Sequence, residues 1–324
     1  MYWLNKIISI LDKVGVFSRW TNIAGLAALF AMVLITFVDV FMRYVFNNPI
    51  KGVLEITEVI MICAIFLAVA STYNEKGHVC IDVITEKLKG KAKLITEFIT
   101  TLISAGILVI VVWQTWGLAI LYFQDHRIHS QLIMIPSGPF AAVITLGCAA
   151  LLLLVIRDLL LAIVEAINLR MKWFYWLMMF GIPIIFIIAS IFWVQSSLWD
   201  LDKTTVGLIG IIFSFTVLLS GMPVSLVLIL TAFLFISHIR GLNAGLDMIG
   251  TDFYRSAGSY SWSVLPFFVL MGFFCLFGKF GEDLYYAAYR WFGHVRGGLA
   301  VSTIGASTAF AAVVGDPIAS VATM

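Results

Sequence analysis

Charged residues are scarce in this sequence. Only 12% of its 324 residues are Asp, Glu, Lys or Arg, whereas 62% are hydrophobic and the mean hydropathy is +1.05. Soluble domains carry about 25% charged residues, so this composition excludes an ordinary water-soluble fold. The sequence predicts an all-α integral membrane protein, because a helix of about 20 apolar residues satisfies its own backbone hydrogen bonds in lipid.

Motifs of enzymes and cofactor sites are lacking as well. The sequence contains no GxxxxGK[ST], HExxH or GxSxG pattern, and its four cysteines show no CxxC or other metal-binding spacing. We therefore expect no enzyme activity, no bound cofactor and no nucleic-acid partner. Any transport would draw its energy from an ion gradient rather than from ATP.

Two other classes of membrane protein are disfavoured. A membrane anchor for haem or quinone needs histidines that face each other inside spans, and all five histidines fall in predicted loops or at span ends. A channel needs an acidic ring or a selectivity-filter pattern, and no span carries one. A membrane protein with a purely structural role, as a scaffold for a partner, remains an open alternative to all functional classes.

Apolar runs bounded by charge predict about eight membrane-spanning helices. The first 20 residues, which contain Lys6, Lys13 and Arg19, are interpreted as a separate short helix at the membrane interface. A last apolar run, Leu299 to Met324, is interrupted by Gly315-Asp316-Pro317, so we expect part of a re-entrant helical hairpin there. The predicted spans are 20–46, 53–74, 94–123, 136–164, 171–195, 205–220, 222–239 and 262–278.

The distribution of Lys and Arg predicts a cytoplasmic N-terminus. With that orientation fourteen of the twenty basic residues lie in cytoplasmic segments, as the positive-inside rule requires. The six on the outer side are Arg43, Lys51, Arg127, Lys203, Arg240 and Arg255.

The spans form two blocks. Residues 1–166 are predicted to form a four-helix domain, which we call the first block, and residues 204–324 the beginning of a second domain, the second block. Residues 167–203 connect them with one span and an outer linker. This extra span is needed because four spans return the chain to the cytoplasm, whereas the second block begins outside.

Charged residues cluster around the turn between the first two spans. Asp39 and Arg43 are spaced i,i+4 and can pair on one helix face, which favours a structural ion pair over a proton relay. Glu55 and Glu58 follow the turn Asn47-Asn48-Pro49, near a helix N-terminus where the helix dipole favours negative charge. Neutralising both glutamates is expected to affect assembly or partner docking rather than ion affinity.

Several motifs resemble those of tripartite ATP-independent periplasmic (TRAP) transporters. The order Arg43-Tyr-Val-Phe-Asn-Asn-Pro49, then acidic residues, then Gly77-His78-Val-Cys-Ile-Asp82 resembles the small, four-span permease subunit (Q-type). In the second block the similarity is to the large (M-type) subunit. It rests on the segments Leu219–Leu228, Leu265–Phe274 and Arg296–Ser320.

This resemblance implies a multi-pass permease of the bacterial inner membrane. It would import a small organic anion such as a carboxylate, together with sodium ions, after delivery by a periplasmic binding protein. Lipid and that protein would be its partners. The small subunit would be a fixed scaffold and the large subunit the moving part.

The expected ion or substrate site is the hairpin that turns at Gly315-Asp316-Pro317. Sodium needs several oxygen ligands, which broken-helix carbonyls and hydroxyls can supply, so Gly315, Asp316, Ser307 and Ser320 are the candidate ligands. The alternative is a kinked helix that packs through small residues and binds nothing. Asp316 departs from the Ser-rich tip usual in the family, which puts the usual anionic substrate in question.

Two further expectations concern the end of the sequence. Residues 279–298 alternate aromatic and charged residues, which indicates an amphipathic helix at the cytoplasmic interface, either a connecting arm or a passive anchor. Met324 lies within an apolar run, whereas the large subunit of the family continues further. We therefore expect the sequence to be a fragment of a longer permease.

Overall fold

The computed structural model of this chain describes residues 2–126, 128–130, 133–195 and 202–314. Within these ranges the fold is almost wholly helical, and six helices are long and apolar enough to cross a membrane. The prediction of an all-α membrane protein is therefore confirmed. The helices are α1 Tyr2–Phe46, α2 Val53–Asn74, α3 Lys91–Gln124, α4 Gly138–Asn168, α5 Trp173–Gln195, α6 Lys203–Leu218, α7 Val224–Arg240, α8 Leu242–Ala257, α9 Leu265–Phe277, α10 Phe280–Phe292 and α11 Gly298–Val314.

Short elements lie between these helices. Two 3₁₀ helices span Thr85–Lys87 and Tyr260–Val264. Strands β1, Ile128–Ser130, and β2, Ile135–Pro136, pair antiparallel between α3 and α4. Neither the strands nor α8 were predicted, since both fall between the strongly apolar runs.

Six of the eight predicted spans correspond to helices of spanning length. The spans at 205–220 and 222–239 correspond to α6 and α7, which have only 16 and 17 residues. Because a helix perpendicular to the membrane needs about 20 residues to cross the hydrocarbon, the count of eight spans stays a prediction.

The predicted separate N-terminal helix is wrong. Residues 2–46 form one continuous helix, α1, of 45 residues. Its buried positions Ile8, Leu11, Gly15 and Ser18 recur every three or four residues, which places them on one face. This face packs against protein, so the segment forms one helix with the first span rather than a separate element.

The described chain divides into two compact units that do not follow the order of the sequence. Unit 1 comprises residues 1–28 and 59–258, and unit 2 comprises residues 29–58 and 259–324. The predicted domain boundaries at residues 166 and 204 stay predictions.

Helix α3 is the centre of unit 1, where it contacts α4, α5, α7 and α8. The core combines buried residues of the first block, such as Ile107, Val111 and Ile144, with residues of the second block, such as Met222 and Val227. Helices α6 to α8 therefore share one hydrophobic core with α2, α3 and α4.

The connecting helix α5 contacts both blocks. Phe180 packs edge-on against Phe98 of α3, with ring centroids 5.2 Å apart. At the other end of α5, Trp193 stacks on His238 of α7 at 4.4 Å, and its carbonyl oxygen lies 2.8 Å from His238 Nδ1. Most of the remaining α5 surface is apolar and exposed, as expected for a helix that faces lipid.

Unit 2 contains the helices α9, α10 and α11. Helix α10 starts after Lys279, which adopts a left-handed conformation with φ of 58°. This helix confirms the one predicted within 279–298. It packs on α11 through Phe280 and Phe310, whose ring centroids are 6.3 Å apart. Small residues support the contact, since a Cβ on Gly305 would lie 4.0 Å from that of Ala288.

Candidate functional site

The loop after α2 and the turn before α7 meet in unit 1. Helix α7 begins at Val224, and the first backbone N–H groups of a helix have no partner within it. The N–H of Val224 donates to the carbonyl oxygen of Val79 at 3.0 Å. Val79 lies in the motif Gly77–Asp82 of the first block, and Val224 lies in Leu219–Leu228 of the second. A main-chain hydrogen bond therefore joins two motifs that carry the family resemblance.

Gly221 brings the same two segments into close contact. Its φ is +82°, a conformation that favours glycine. A Cβ at this position would lie 2.9 Å from Thr85 Cγ2 and 3.1 Å from Asp82 Oδ1. A larger residue at position 221 would therefore push the two segments apart.

Asp82 shapes the surface that Gly221 contacts. Its carboxylate accepts a hydrogen bond from Thr85 Oγ1 at 3.0 Å, and its carbonyl oxygen accepts one from the backbone N–H of Glu86 at 2.9 Å. These bonds hold the turn of the first 3₁₀ helix. The predicted site residue Asp82 therefore has a structural role at this junction.

His78 is held against the end of α2. Its Nε2 lies 3.4 Å from the carbonyl oxygen of Val69, and its ring centroid is 5.9 Å from that of Tyr73. His78 and Asp82, which were predicted as one motif, thus lie together in the structure and fix the path of the same loop.

A polar cleft of about 450 Å³ opens beside this contact. Its walls carry both charge signs and several hydroxyl groups, contributed by α2, α3, α4 and the two loops. Such a lining suits water and polar groups rather than lipid chains. The lining residues are Tyr73, Lys76, His78, Cys80, Asp82, Glu97, Thr100, Thr101, Ser104, Asp158, Gly221 and Pro223.

Arg157 ties three helices together next to the cleft. Its guanidinium donates to Asn74 Oδ1 of α2 at 2.8 Å and to the adjacent Asp158 at 2.9 Å. Asp12 of α1 lies 3.8 Å away. This residue was not selected as a site residue from the sequence, although a charged pair, Arg157-Asp158, inside an apolar run was a signal that could have identified it.

Cys80 provides a test of the cleft. Burial raises the pKa of its thiol, and the Asp82 carboxylate raises this pKa further. The thiolate is the reactive form, so at about pH 8 Cys80 should react with a maleimide more slowly than an ordinary exposed cysteine. Asp82→Asn should lower the pKa and accelerate alkylation by less than about tenfold, because burial is the larger cause.

The measurement is the alkylation rate between about pH 7 and pH 9, a range on either side of the ordinary thiol pKa, with the other three cysteines replaced by serine. Thr85→Val is the control, since it removes the hydroxyl that holds Asp82 and keeps the charge. Equal acceleration in both variants would show that the loop has opened and would contradict the electrostatic explanation.

Asp39 organises the turn between α1 and α2 in unit 2. The predicted i,i+4 pair is confirmed, with Arg43 Nη2 2.7 Å from Asp39 Oδ2. The second carboxylate oxygen accepts a hydrogen bond from the backbone N–H of Ile50 at 2.8 Å, across the turn. Asp39 is buried whereas the Arg43 side chain is half exposed. The carboxylate therefore has two structural partners.

We expect Asp39→Ala to destabilise the protein by about 1–3 kcal/mol, because it leaves the Ile50 N–H unsatisfied. Asp39→Asn should cost less, since an amide oxygen can still accept that bond. The measurement is the unfolding midpoint of both variants in detergent. If the asparagine variant were fully stable but had lost proton-dependent activity, the structural interpretation of Asp39 would be wrong.

Glu55 and Glu58 lie at the start of α2, as predicted. The helix begins at Val53 and Glu55 is in its first turn. Both glutamates are half-buried and both have polar partners.

Most of the predicted sodium hairpin cannot be described. Gly315, Asp316, Pro317 and Ser320 lie outside the described residues, and only Ser307 lies within them, half-buried in α11. Three other hydroxyls of α11 donate to carbonyl oxygens one turn earlier, with distances of 2.6 to 2.9 Å. These are Ser302, Thr303 and Thr308. Among the residues that can be described, no group of three or more His, Cys, Asp or Glu is arranged to hold a metal ion.

Comparison with known families assigns both blocks. Residues 32–165 match the family described as the DctQ component of tripartite ATP-independent periplasmic transporters, and residues 210–324 match the DctM component. Helix α5 lies between the two matched regions.

A protein of Haemophilus influenzae named as a TRAP transporter small permease is 29% identical to this chain over 95 residues. The aligned region covers 29% of this chain and 59% of that relative's length. Taken together, these matches show that the chain belongs to the TRAP transporter permeases, with the DctQ-type and DctM-type components fused in one polypeptide.

Proposed function

We propose that this chain is the permease of a sodium-coupled secondary transporter that imports a small organic anion, such as a carboxylate. A periplasmic binding protein would deliver the anion. The observation that carries the proposal is that DctQ-type and DctM-type regions occupy one membrane-embedded chain. The family is described as ATP-independent, which agrees with the lack of a nucleotide-binding motif in this sequence.

The bacterial inner membrane, with the N-terminus in the cytoplasm, is the location that we propose. The ion pair between Asp12 and Arg157 places the first part of α1 beside the second half of α4. Asn74, at the end of α2, bonds to the same arginine. Basic residues cluster in the loops at this end of unit 1, as expected for a cytoplasmic face.

The coupling ion is proposed to bind where α11 leads into Gly315-Asp316-Pro317. Glycine and proline interrupt the helical hydrogen-bond ladder and free carbonyl oxygens that can coordinate sodium. Asp316 would add a hard carboxylate ligand, and its charge would be balanced by the ion. No other cofactor is needed for this function.

The decisive experiment is radioactive sodium uptake into proteoliposomes that contain the native permease extracted from membranes. A panel of aliphatic carboxylates and sugar acids is added together with the periplasmic binding protein. Sodium uptake should rise only when one of the anions and the binding protein are both present. If no anion stimulated uptake, or if the anion entered without sodium, the proposed function would be rejected.

Asp316→Ala should reduce anion-dependent sodium uptake at least about tenfold while the protein still inserts into the membrane, because a direct carboxylate ligand is lost. Asp247→Ala, which removes an exposed carboxylate of α8, is the matched control. Normal uptake with an unchanged sodium dependence in the Asp316 variant would exclude this residue from the site.

A scaffold without transport activity is the second candidate. It is favoured by one observation, namely that α6 to α8 share a core with the DctQ-type helices. The intact mass of the native product separates the two candidates. A mass far above 36.0 kDa would support a longer permease that can be tested for transport, whereas a mass of 36.0 kDa would favour the scaffold.

A further inference from the structure

The N-terminal part of α1 is longer than a membrane span requires. At about 1.5 Å per residue, the 45 residues of α1 extend over about 67 Å. The hydrocarbon core is about 30 Å thick, and about 40–45 Å with the headgroups. Roughly 20 Å of the helix therefore extends beyond a perpendicular crossing. This excess includes residues that precede the DctQ match, which begins at residue 32.

One side of this segment is fixed by the protein. Gly15 faces two polar side chains, since a Cβ there would be in van der Waals contact with Asn74 Oδ1 at 3.4 Å and Arg157 Nη1 at 3.6 Å. Asp12 forms its ion pair with the same arginine. The segment therefore keeps a defined rotation about its axis.

The neighbouring side carries an apolar stripe that we call the N-terminal stripe, made of Trp3, Ile7, Ile10, Val14 and Phe17. Their spacing of three or four residues places them on one face. Trp3 is 74% exposed and Phe17 is 63% exposed. Single exposed apolar residues are ordinary, but here four of the five, all except the half-buried Val14, are exposed on one face, which indicates a surface that meets lipid or protein.

Basic residues border the N-terminal stripe. Lys6 and Lys13 are exposed, and the Lys6 ammonium lies 5.8 Å from the centre of the Trp3 ring. Asp12 is the single acidic residue among the first 38 and is directed to Arg157. The edge of the N-terminal stripe thus has an uncompensated positive charge.

We propose that the N-terminal stripe lies in the headgroup region of the membrane and that Lys6 and Lys13 bind anionic phospholipids. An apolar face bordered by lysines is the pattern of helices that lie at a lipid interface. The charge selects anionic headgroups, since each basic residue near such a surface gains attraction. A helix longer than the bilayer can tilt from the membrane normal, and such a tilt of α1 would keep this face at the level of the headgroups. This inference rests on membrane embedding alone and not on transport activity.

The test uses the full chain in lipid nanodiscs, with its four cysteines replaced and a spin label at Ile10→Cys. A label at Ser9→Cys, on the polar side, is the matched control. In phosphatidylcholine mixed with phosphatidylglycerol, the label at position 10 should collide often with oxygen and rarely with a water-soluble nickel chelate. The label at position 9 should show the reverse. Equal nickel access at both positions would overturn the proposal.

The role of charge is tested with the same label. Lys6→Gln and Lys13→Gln should each lower the ratio of oxygen collisions to nickel-chelate collisions at the position 10 label about fivefold in the anionic nanodiscs. Arg19→Gln should have little effect, because Arg19 lies about 120° around the helix from Lys13, away from the N-terminal stripe. An equal effect of Arg19→Gln would contradict the proposal. So would broadening of the spectrum from label pairs, since that would place a second copy of the chain on this face.

Discussion

Among glycine-to-alanine substitutions in unit 1, Gly147→Ala is expected to give the largest loss of stability. Gly147 lies in α4 where this helix crosses α2. A Cβ there would lie well inside the van der Waals contact distance to the Phe66 carbonyl oxygen and 2.9 Å from its carbonyl carbon. Because the obstacle is backbone rather than a flexible side chain, the two helices must separate. We expect a loss at or above the upper end of the usual 1–3 kcal/mol for overpacking.

The measurement is the midpoint of unfolding in mixed detergent micelles. Gly117→Ala is the matched control, because Gly117 also lies within a long apolar helix but has open space where its Cβ would be. The control should be neutral or slightly stabilising, since alanine favours a helix over glycine by about 1 kcal/mol. Similar midpoints for the two variants would show that α2 and α4 do not cross as described.

The second large effect is expected from Gly221→Ala at the junction of the DctQ-type and DctM-type regions. Alanine pays about 1–2 kcal/mol for the left-handed conformation. Its Cβ also contacts Thr85 and Asp82 at distances that require the loop to move. The hydrogen bond from Val224 N–H to Val79 should therefore weaken. Hydrogen exchange of the Val224 amide, measured by mass spectrometry of short peptides, should become at least about tenfold faster, which corresponds to 1.4 kcal/mol.

Gly90→Ala separates the two causes. Gly90 also has a positive φ, of +60°, but nothing lies within 4 Å of its Cβ position. With ψ of −126°, the Gly90 variant has a backbone cost of its own but no contact with a neighbouring segment, so exchange at Val224 should not change. If Gly221→Ala left the exchange rate unaltered, the contact between the two loops would not hold α7 in place.

Local patterns in the sequence were sufficient for much of this fold. The ion pair between Asp39 and Arg43 follows from a spacing of four residues, and α2 begins where the turn Asn47-Asn48-Pro49 predicts. Long apolar runs gave the helices of spanning length. Each of these features depends on residues that are near one another in the chain.

Contacts between distant segments were not predictable in the same way. The Ile50 N–H bond to Asp39 and the Val79 bond to Val224 use main-chain groups, which every residue type provides. The motifs at these positions were identified by resemblance, but nothing in them predicts that they meet. The predicted ion site at Asp316 stays untested for a different reason, since it lies outside the described residues.

At the N-terminus, a pattern of basic residues among apolar ones was read correctly but led to the wrong prediction of a separate short helix. Lys6, Lys13 and Arg19 suggested a surface helix, and the exposed face agrees with that composition. The opposite face includes Gly15 and Ser18, which contribute almost nothing to hydropathy. Small residues let helix backbones approach closely in membranes, so their spacing was the informative signal. Together with Leu11 and Ile8, these small residues recur every three or four positions, a periodicity that continues the helix back to Ile8.

The bond between Val79 and Val224 also bears on how the DctQ-type and DctM-type regions hold together in one chain. Main-chain groups do not change when side chains mutate, so this hydrogen bond does not depend on which residue types stand at positions 79 and 224. The side chains contribute only two requirements, a glycine at position 221 and a helix that starts at position 224. Two separate polypeptides with these features could dock in the same way. Joining them through α5 would raise the effective concentration of each region near the other.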